Sequence, residues 1–145
     1  MKGLALGLWE AYIRAEYWVG FPDNRLLLKV GEPATGLGRL APEAASGLFG
    51  PEQPWAFLTA WNPGSEIQMD FVNREKQEEL ELYLRGSGFA VLPGVAKDPA
   101  GEWPDEESLL VFGLGWEKAL LLGRKFNQHA ILAGLGEETV QLLRC

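Results

Sequence analysis

The sequence predicts an α+β fold built on a mainly antiparallel sheet, with helices packed on one face and hairpins added at the edges. Two apolar runs are rich in aromatic and branched side chains, which is typical of buried strands: Trp55–Trp61, between Pro54 and Pro63, and Ser108–Phe112, which ends at Gly113. From residue 55 to 135 the predicted order is strand, helix, strand, strand, helix, strand. This order predicts a split βαβ, or ferredoxin-like, core.

The residue pattern over positions 4–54 predicts a short helix, a hairpin and a long loop. Apolar residues at helical spacing predict a helix over residues 4–13. The turn residues Pro22-Asp23-Asn24 separate two apolar segments, which indicates a hairpin. Residues 31–54 contain four prolines and five glycines, so we expect a loop there with one helical turn over Pro42–Gly47.

The segment that follows the first buried strand carries a helix start signal. Ser65-Glu66-Ile67-Gln68 matches a capping box and predicts a helix over residues 66–85, closed by Arg85 and Gly86. A helical period of about 100° per residue predicts one inward face. Its members are Met69, Val72, Asn73, Lys76, Leu80, Tyr83 and Leu84.

The second half of the chain predicts the remaining elements of a single domain over residues 1–145. We expect a strand over 89–95, a loop over 96–105 that contains Pro99, Gly101 and Pro104, and a helix over 116–126. Residues 129–135 and 139–143 are expected to form a second hairpin across Gly136-Glu137-Glu138. We expect this last element to complete the sheet.

Composition excludes several classes of function. The formal net charge of −7 disfavours binding to nucleic acid and to anionic membranes, and no apolar stretch approaches the roughly 18 residues of a membrane span. Cys145 is the only cysteine, which excludes an intrachain disulfide and favours the cytoplasm. His129 is the only histidine, so we expect no histidine-rich zinc site. The acidic residues Asp98, Asp105, Glu106 and Glu107 lack the alternating spacing and central glycine of a calcium loop, so we expect no obligatory metal, and we expect no cofactor.

A polar turn after the buried strand is the first candidate site. Ala60-Trp61-Asn62-Pro63-Gly64-Ser65 connects the strand to the predicted helix N-terminus, where free N–H groups attract an anion. We expect Asn62 and Ser65 to be neighbouring ligands. The alternative is purely structural, with Ser65 as the helix N-cap and Asn62 as a turn residue before Pro63.

Five further residues are candidates for ligand contacts or catalysis: Asn73, Arg74, Trp103, Glu107 and Gln128. Asn73 lies on the apolar side of the helix and must either bond the preceding loop or enter a pocket, and Arg74 is the nearest cation for an anionic ligand. Glu107 lies at the mouth of a strand after Trp103 and is the best candidate for a general base, unless the acidic run is simply a solvated loop. Gln128 follows Asn127, a predicted left-handed helix stop, and either caps that helix or faces the pocket.

The chain resembles a bacterial family known as domain of unknown function 3293. The string Phe57–Ser65 carries the resemblance, together with later single residues and short segments over Tyr12–Leu132. Those later positions are Asn73, Trp103, Glu106–Val111, Phe126, Gln128, Ala130 and Ile131. The resemblance implies no activity. It implies that the motif positions of the family are Asn62, Pro63, Ser65, Asn73, Glu107 and Gln128, whereas His129 lies outside them.

Two hypotheses of function follow from these residues. The first is a polar pocket for a small metabolite or nucleotide, including anionic ones, in which Glu107 transfers a proton if the protein is an enzyme. The second is a protein-interaction or homodimerisation module that uses exposed Trp residues and sheet edges. The first requires Asn62, Asn73, Glu107 and Gln128 to converge on one cleft, whereas the second requires a flat patch of exposed aromatic residues.

Overall fold

The computed structural model describes residues 6–41 and 49–145, which form seven strands, four α-helices and a 3₁₀ turn. The helical turn predicted at Pro42–Gly47 lies outside the described residues. In chain order the elements are α1 (Leu6–Arg14), β1 (Glu16–Val19), β2 (Leu26–Leu28), α2 (Leu37–Leu40), β3 (Pro54–Leu58), the 3₁₀ turn (Pro63–Ser65), α3 (Asp70–Gly86), β4 (Ala90–Lys97), β5 (Glu106–Phe112), α4 (Trp116–Lys125), β6 (Ala130–Leu135) and β7 (Gln141–Arg144).

All seven strands belong to one sheet in the order β2-β1-β4-β5-β3-β6-β7, and every neighbouring pair is antiparallel. The mixed α/β class and the antiparallel sheet are therefore confirmed. The two predicted hairpins, β1–β2 and β6–β7, form the two edges of the sheet. The central strand β3 pairs with β5 on one side and with β6 on the other.

The sheet separates two hydrophobic cores. Helices α3 and α4 cover one face, where Leu80 and Leu122 pack on side chains of the central strands. The other face is covered by the N-terminal segments, and the short helix α2 lies there through Leu37. Because α2 packs on the second face, the expectation that all helices lie on one face holds only for α3 and α4.

The predicted capping box at Ser65 does not form. Helix α3 begins at Asp70 with Met69 in extended backbone at its N-cap, four residues later than predicted. Ser65 has a positive φ of 60° and ends the 3₁₀ turn, and the backbone N–H of Gln68 donates to Asn62 Oδ1 instead. The helix also ends one residue late, at Gly86, and the left-handed glycine beyond it is Gly88.

The buried face of α3 differs from the predicted one. Asn73, Gln77, Leu80 and Leu84 are buried, whereas Met69 and Tyr83 are exposed, as is Lys76. The buried positions follow the same helical period but begin with two amides. Asn73, Leu80 and Leu84 are inside as predicted, but Gln77 replaces its neighbour Lys76, because the loop packed on the helix requires an amide partner.

Gly134 allows the close packing of a fully buried tryptophan. Trp55 on β3 lies opposite Gly134 on β6, and its indole Nε1 donates to Gly136 O at 2.9 Å. A methyl group at Gly134 would lie 2.6 Å from Trp55 Cε2, well inside van der Waals contact. The central strands therefore require glycine at this position.

We predict that Gly134→Ala destabilises the fold by about 1–3 kcal/mol, because the added methyl group overpacks a rigid indole. Urea unfolding followed by tryptophan fluorescence measures this loss. Gly86→Ala is the control, since nothing lies within 4 Å of its added methyl group and the helix gains up to about 1 kcal/mol. Equal stability of Gly134→Ala and the wild type would contradict the packing argument.

Candidate functional site

A small cavity lies at one end of the sheet, where β3 ends and β5 begins. Its volume is about 90 Å³, and helix α1 and the loop after β3 form part of its wall. Apolar residues such as Leu8, Phe57 and Leu142 line it on several sides. The polar residues that carry the argument below are Tyr12, Tyr17, Asn62, Ser65, Glu106 and Gln128.

The loop that forms this wall is held by a pair of buried asparagines. The backbone N–H of Asn62 donates to Asn73 Oδ1 at 2.8 Å, and Asn73 Nδ2 donates to Asn62 Oδ1 at 2.7 Å. Asn73 is 1% exposed, so these bonds replace its contacts with water. The pair fixes the end of β3 to the first turn of α3.

Residues after α4 close the loop from the other side. Gly64 N–H donates to Asn127 O at 2.7 Å, and Gln128 Nε2 donates to Trp61 O at 3.2 Å and to Phe126 O at 3.2 Å. Asn127 has a φ of 55°, which confirms its prediction as a left-handed helix stop. Gln128 therefore binds the helix end and the site loop together.

Glu106 is the half-buried acid of the cavity. Asn62 Nδ2 donates to its Oε2 at 3.2 Å, and no ion pair to Glu106 is present among the described residues. Burial raises the pKa of Glu106 to about 7, and the hydrogen bond from Asn62 offsets only part of this effect. The carboxyl group therefore changes its charge close to neutral pH.

Two tyrosines bring hydroxyl groups to the cavity. Tyr12 OH and Ser65 Oγ share a hydrogen bond of 2.9 Å, and Tyr17 OH donates to the backbone oxygen of Tyr12 at 2.6 Å. Burial raises the pKa of both phenols, and the nearby Glu106 carboxylate adds to the effect. Both hydroxyls therefore remain protonated at neutral pH and serve as hydrogen-bonding groups.

The rim of the cavity is formed by the loop between β4 and β5. Trp103 is 42% exposed and lines the cavity together with Asp98. Asp98 accepts hydrogen bonds from the backbone N–H groups of residues 100, 102 and 103, which lower its pKa. Lys97 forms an ion pair of 3.3 Å with Asp105. Of the charged groups at this rim, Lys97 and Asp105 therefore pair with each other, and Asp98 is hydrogen-bonded to the loop backbone.

The structure brings together most of the residues singled out in the sequence. Asn62, Ser65, Trp103 and Gln128 line the cavity, and Asn73 lies directly behind Asn62. Arg74 is exposed on α3 and does not line the cavity, so it is not placed to meet a ligand there. The sequence order of the loop thus predicted the wall of the site but not a cation within it.

Glu107 does not reach this cavity, and Glu106 takes the place expected for it. Both acids lie on β5 rather than in the preceding loop, and neighbouring residues of a strand point to opposite faces. Glu107 is exposed and lines a groove on the α3 side of the sheet. The four residues Asn62, Asn73, Glu107 and Gln128 therefore do not converge on one cleft.

Sequence reasoning missed Glu106, Tyr12 and Tyr17 as cavity residues. The signal for Glu106 was the period of two along β5, which groups it with Ser108, Leu110 and Phe112. Leu109 and Val111 form an equally apolar set with Glu107, so the pattern alone could not choose between the acids. Nothing near Tyr12 indicated that α1 would pack over the end of the sheet.

Metal ligands do not cluster in the part of the chain that the structure describes: no three His, Cys, Asp or Glu residues lie together there as a candidate metal site. His129 uses its backbone oxygen to accept the N–H of Cys145. Burial raises the pKa of the Cys145 thiol to about 11.

Over residues 6–41 and 49–145, no helix has both the length and the apolar character needed to cross a bilayer.

We predict that Asn73→Ala destabilises the protein by about 1–3 kcal/mol, because it leaves the buried N–H of Asn62 without an acceptor. Arg74→Ala is the matched control on the next residue. Its side chain is exposed, so its effect stays within about 0.5 kcal/mol. Urea unfolding curves of the three proteins test the difference, and equal midpoints would remove the asparagine pair as the support of the loop.

We predict that Glu106 lowers stability as the pH rises from about 4.5 to 7. In this window the native carboxyl keeps a proton that the unfolded chain has already released, so the free energy of unfolding falls with pH. At about 1.4 kcal/mol per pKa unit, the loss is roughly 3 kcal/mol. It is absent in Glu106→Gln and retained in Glu107→Gln, as unfolding curves between pH 4 and 8 will show. Parallel profiles of wild type and Glu106→Gln would contradict the burial of this acid.

Comparisons with known proteins give a family for this chain. No curated protein and no solved structure matches it. One family model, described as protein of unknown function (DUF3293), matches residues 58–131, a stretch that includes Asn62, Asn73 and Glu106. Since that stretch is more than half of the chain and runs from the end of β3 into β6, the protein belongs to the DUF3293 family.

Proposed function

We propose that the cavity at Glu106 binds a small neutral or cationic molecule through an N–H donor such as an amine, an amidine or the edge of a nucleobase. The observation that carries this proposal is a half-buried carboxyl group, that of Glu106, which lines the cavity with a single side-chain partner, Asn62. A carboxylate has acceptor capacity for more than one donor. A ligand N–H would donate to the carboxylate lone pairs of Glu106 that receive no hydrogen bond from Asn62.

Charge argues against an anionic ligand at this site. Lys97, the cation among the lining residues, is paired with Asp105, and Arg74 lies elsewhere on α3. Where Glu106 is ionised, a phosphate or carboxylate beside it would meet a like charge without a compensating cation. We therefore replace the anionic metabolite expected from the sequence with a donor-bearing, uncharged or positively charged one.

The size of the cavity favours a small ligand or the head group of a larger one. Drug-sized ligands occupy pockets of roughly 300–1,000 Å³, whereas this cavity has about 90 Å³. Tyr12 and Trp103 provide aromatic surface, which is favourable for a cation or a planar ring. A simple alkylamine, a guanidine or a free nucleobase matches these limits better than a whole nucleotide does.

Glu106 is also the group that would transfer a proton if the bound molecule reacts. General acids and bases work best when their pKa lies near the working pH, and burial raises the pKa of Glu106 to about 7. Glu106 thus takes over the role that the sequence had suggested for Glu107. In a hydrolysis, Glu106 would accept the proton of the attacking water molecule, and in a group transfer it would accept the proton of the acceptor nucleophile.

A thermal-unfolding screen tests the binding proposal. The probes are methylamine, guanidine, the free nucleobases and, as anionic comparisons, inorganic phosphate and acetate. A ligand at one hundred times its Kd adds roughly 2.7 kcal/mol to the native state. We expect stabilisation by at least one N–H donor, its loss in Glu106→Gln, and its retention in Glu107→Gln.

The matched pair of variants makes the result specific. Glu106 and Glu107 are neighbours on β5 and differ in the face that they occupy, so both substitutions remove one carboxylate from the same strand. Stabilisation that Glu106→Gln leaves unchanged would reject the site. Stabilisation by phosphate alone would reject the ligand class and restore the anionic hypothesis.

A protein-interaction or homodimer role is the second candidate function, and an apolar segment favours it. Ile67, Met69 and Phe71 are 71%, 68% and 67% exposed and lie within five residues beside the cavity. Large exposed apolar side chains in one patch mark interaction surfaces. Light scattering of the purified protein tests self-association, with the triple change of these residues to Ser as the variant expected to be monomeric.

We also propose that residues 54–135 form a ferredoxin-like split βαβ core. The order β4-β5-β3-β6 supports this assignment, since the two crossing connections contain α3 and α4 and both helices pack on the same face. The hairpin strands β1, β2 and β7 then extend this core at its edges. The candidate cavity lies where the first and third strands of the core meet.

A further inference from the structure

A second concave site lies on the face of the sheet that α3 and α4 cover. This groove has a volume of about 520 Å³, within the range of small-molecule sites. Side chains of the β1–β2 turn, α3, β4 and β5 line it. Lys97 and Ser108 line both the groove and the Glu106 cavity, and the remaining lining residues belong to the groove alone.

Gln77 supplies a buried hydrogen-bond donor without a partner. Its side chain lines the groove and is 7% exposed, yet its Nε2 has no acceptor among the described residues. The orientation of the amide is fixed, because the backbone N–H of Ala60 donates to Gln77 Oε1 at 2.8 Å and requires an oxygen there. The unpartnered group is therefore an N–H donor, which calls for a carbonyl or carboxylate oxygen.

Two opposite charges line the same groove without pairing. Arg25 comes from the β1–β2 turn and Glu107 from β5, and neither side chain makes an ion pair or hydrogen bond within the described residues. The other charged groups of the groove are paired, Lys97 with Asp105 and Glu81 with Arg85. The groove therefore offers one positive group, one negative group and one amide donor.

The spacing of these groups corresponds to a short peptide. Arg25 directly precedes β2, and β1 and β4 lie between β2 and β5, so three strand spacings, or about 14 Å, separate its backbone from that of Glu107. Because both side chains line the groove between these strands, the gap between their charges is shorter, and two or three extended residues at roughly 3.5 Å each span it. Phe21, Pro93 and Leu109 add apolar surface for the side chains of such a molecule.

We propose that this groove binds unblocked di- or tripeptides. The C-terminal carboxylate pairs with Arg25, the N-terminal ammonium pairs with Glu107, and a peptide carbonyl accepts the N–H of Gln77. This site is independent of the Glu106 cavity, so the ligands of the two sites are separate. Glu107, which the sequence suggested as a base, is here a binding residue.

Calorimetric titration with trialanine tests the proposal. The comparison ligands are N-acetyl-trialanine, which lacks the ammonium, and trialanine amide, which lacks the carboxylate. We expect trialanine to bind and each blocked form to bind at least tenfold more weakly. Equal binding of the three, or no binding of trialanine at millimolar concentration, would overturn the proposal.

Single-residue variants on both faces of the sheet locate the binding. Arg25→Gln and Glu107→Gln each weaken trialanine binding at least tenfold, whereas Arg74→Gln and Glu106→Gln leave it unchanged. Loss in Glu106→Gln with retention in Glu107→Gln would place the peptide in the other cavity and overturn the assignment. Gln77→Glu keeps the acceptor for Ala60 and removes the donor, so it weakens binding in a protein that still gives the native near-UV spectrum; undiminished binding by that folded variant would also count against the proposal.

Discussion

The pair of hydrogen bonds between Asn62 and Asn73 is the constraint on which the candidate site depends. Asn62 Oδ1 accepts from Asn73 Nδ2 and from the backbone N–H of Gln68, so the amide oxygen must face the helix. Its nitrogen is then forced toward Glu106. One buried amide thereby positions the loop after β3, the start of α3 and the acid of the cavity.

The hydrogen bond from Asn62 also lets Glu106 serve in both its ionised and its protonated state. Asn62 presents a donor to Glu106, which favours an acceptor oxygen at that position in either protonation state. When the carboxyl is ionised, the second oxygen accepts a hydrogen bond from a bound molecule; when it is protonated, that oxygen donates one. Tyr12 and Ser65 keep a hydroxyl pair in the wall, so the cavity combines one titrating group with neutral polar groups.

Strong local patterns predicted the fold well, and tertiary packing decided the remainder. The apolar strands and the turn residues Pro22–Asn24 and Gly136–Glu138 predicted the sheet and its edge hairpins, because these signals act over a few residues. The capping box predicted at Ser65 does not form, because Asn62 Oδ1 accepts the backbone N–H of Gln68 that the box requires. Glu106 and Glu107 could not be told apart, because both faces of β5 are buried and the alternation has no polar side to mark solvent.

The order of strands also constrains how the chain folds during synthesis. Strand β3, at the centre of the sheet, forms ladders only with β5 and β6, and β1 pairs with β4 beyond its own hairpin. The apolar run Trp55–Leu58 therefore has no strand partner until residues beyond 105 have left the ribosome. Folding then proceeds through contacts that are distant in sequence, which slows it. The nascent chain therefore becomes resistant to aggregation only once β5 and β6 have been made, although the apolar run of β3 is made much earlier.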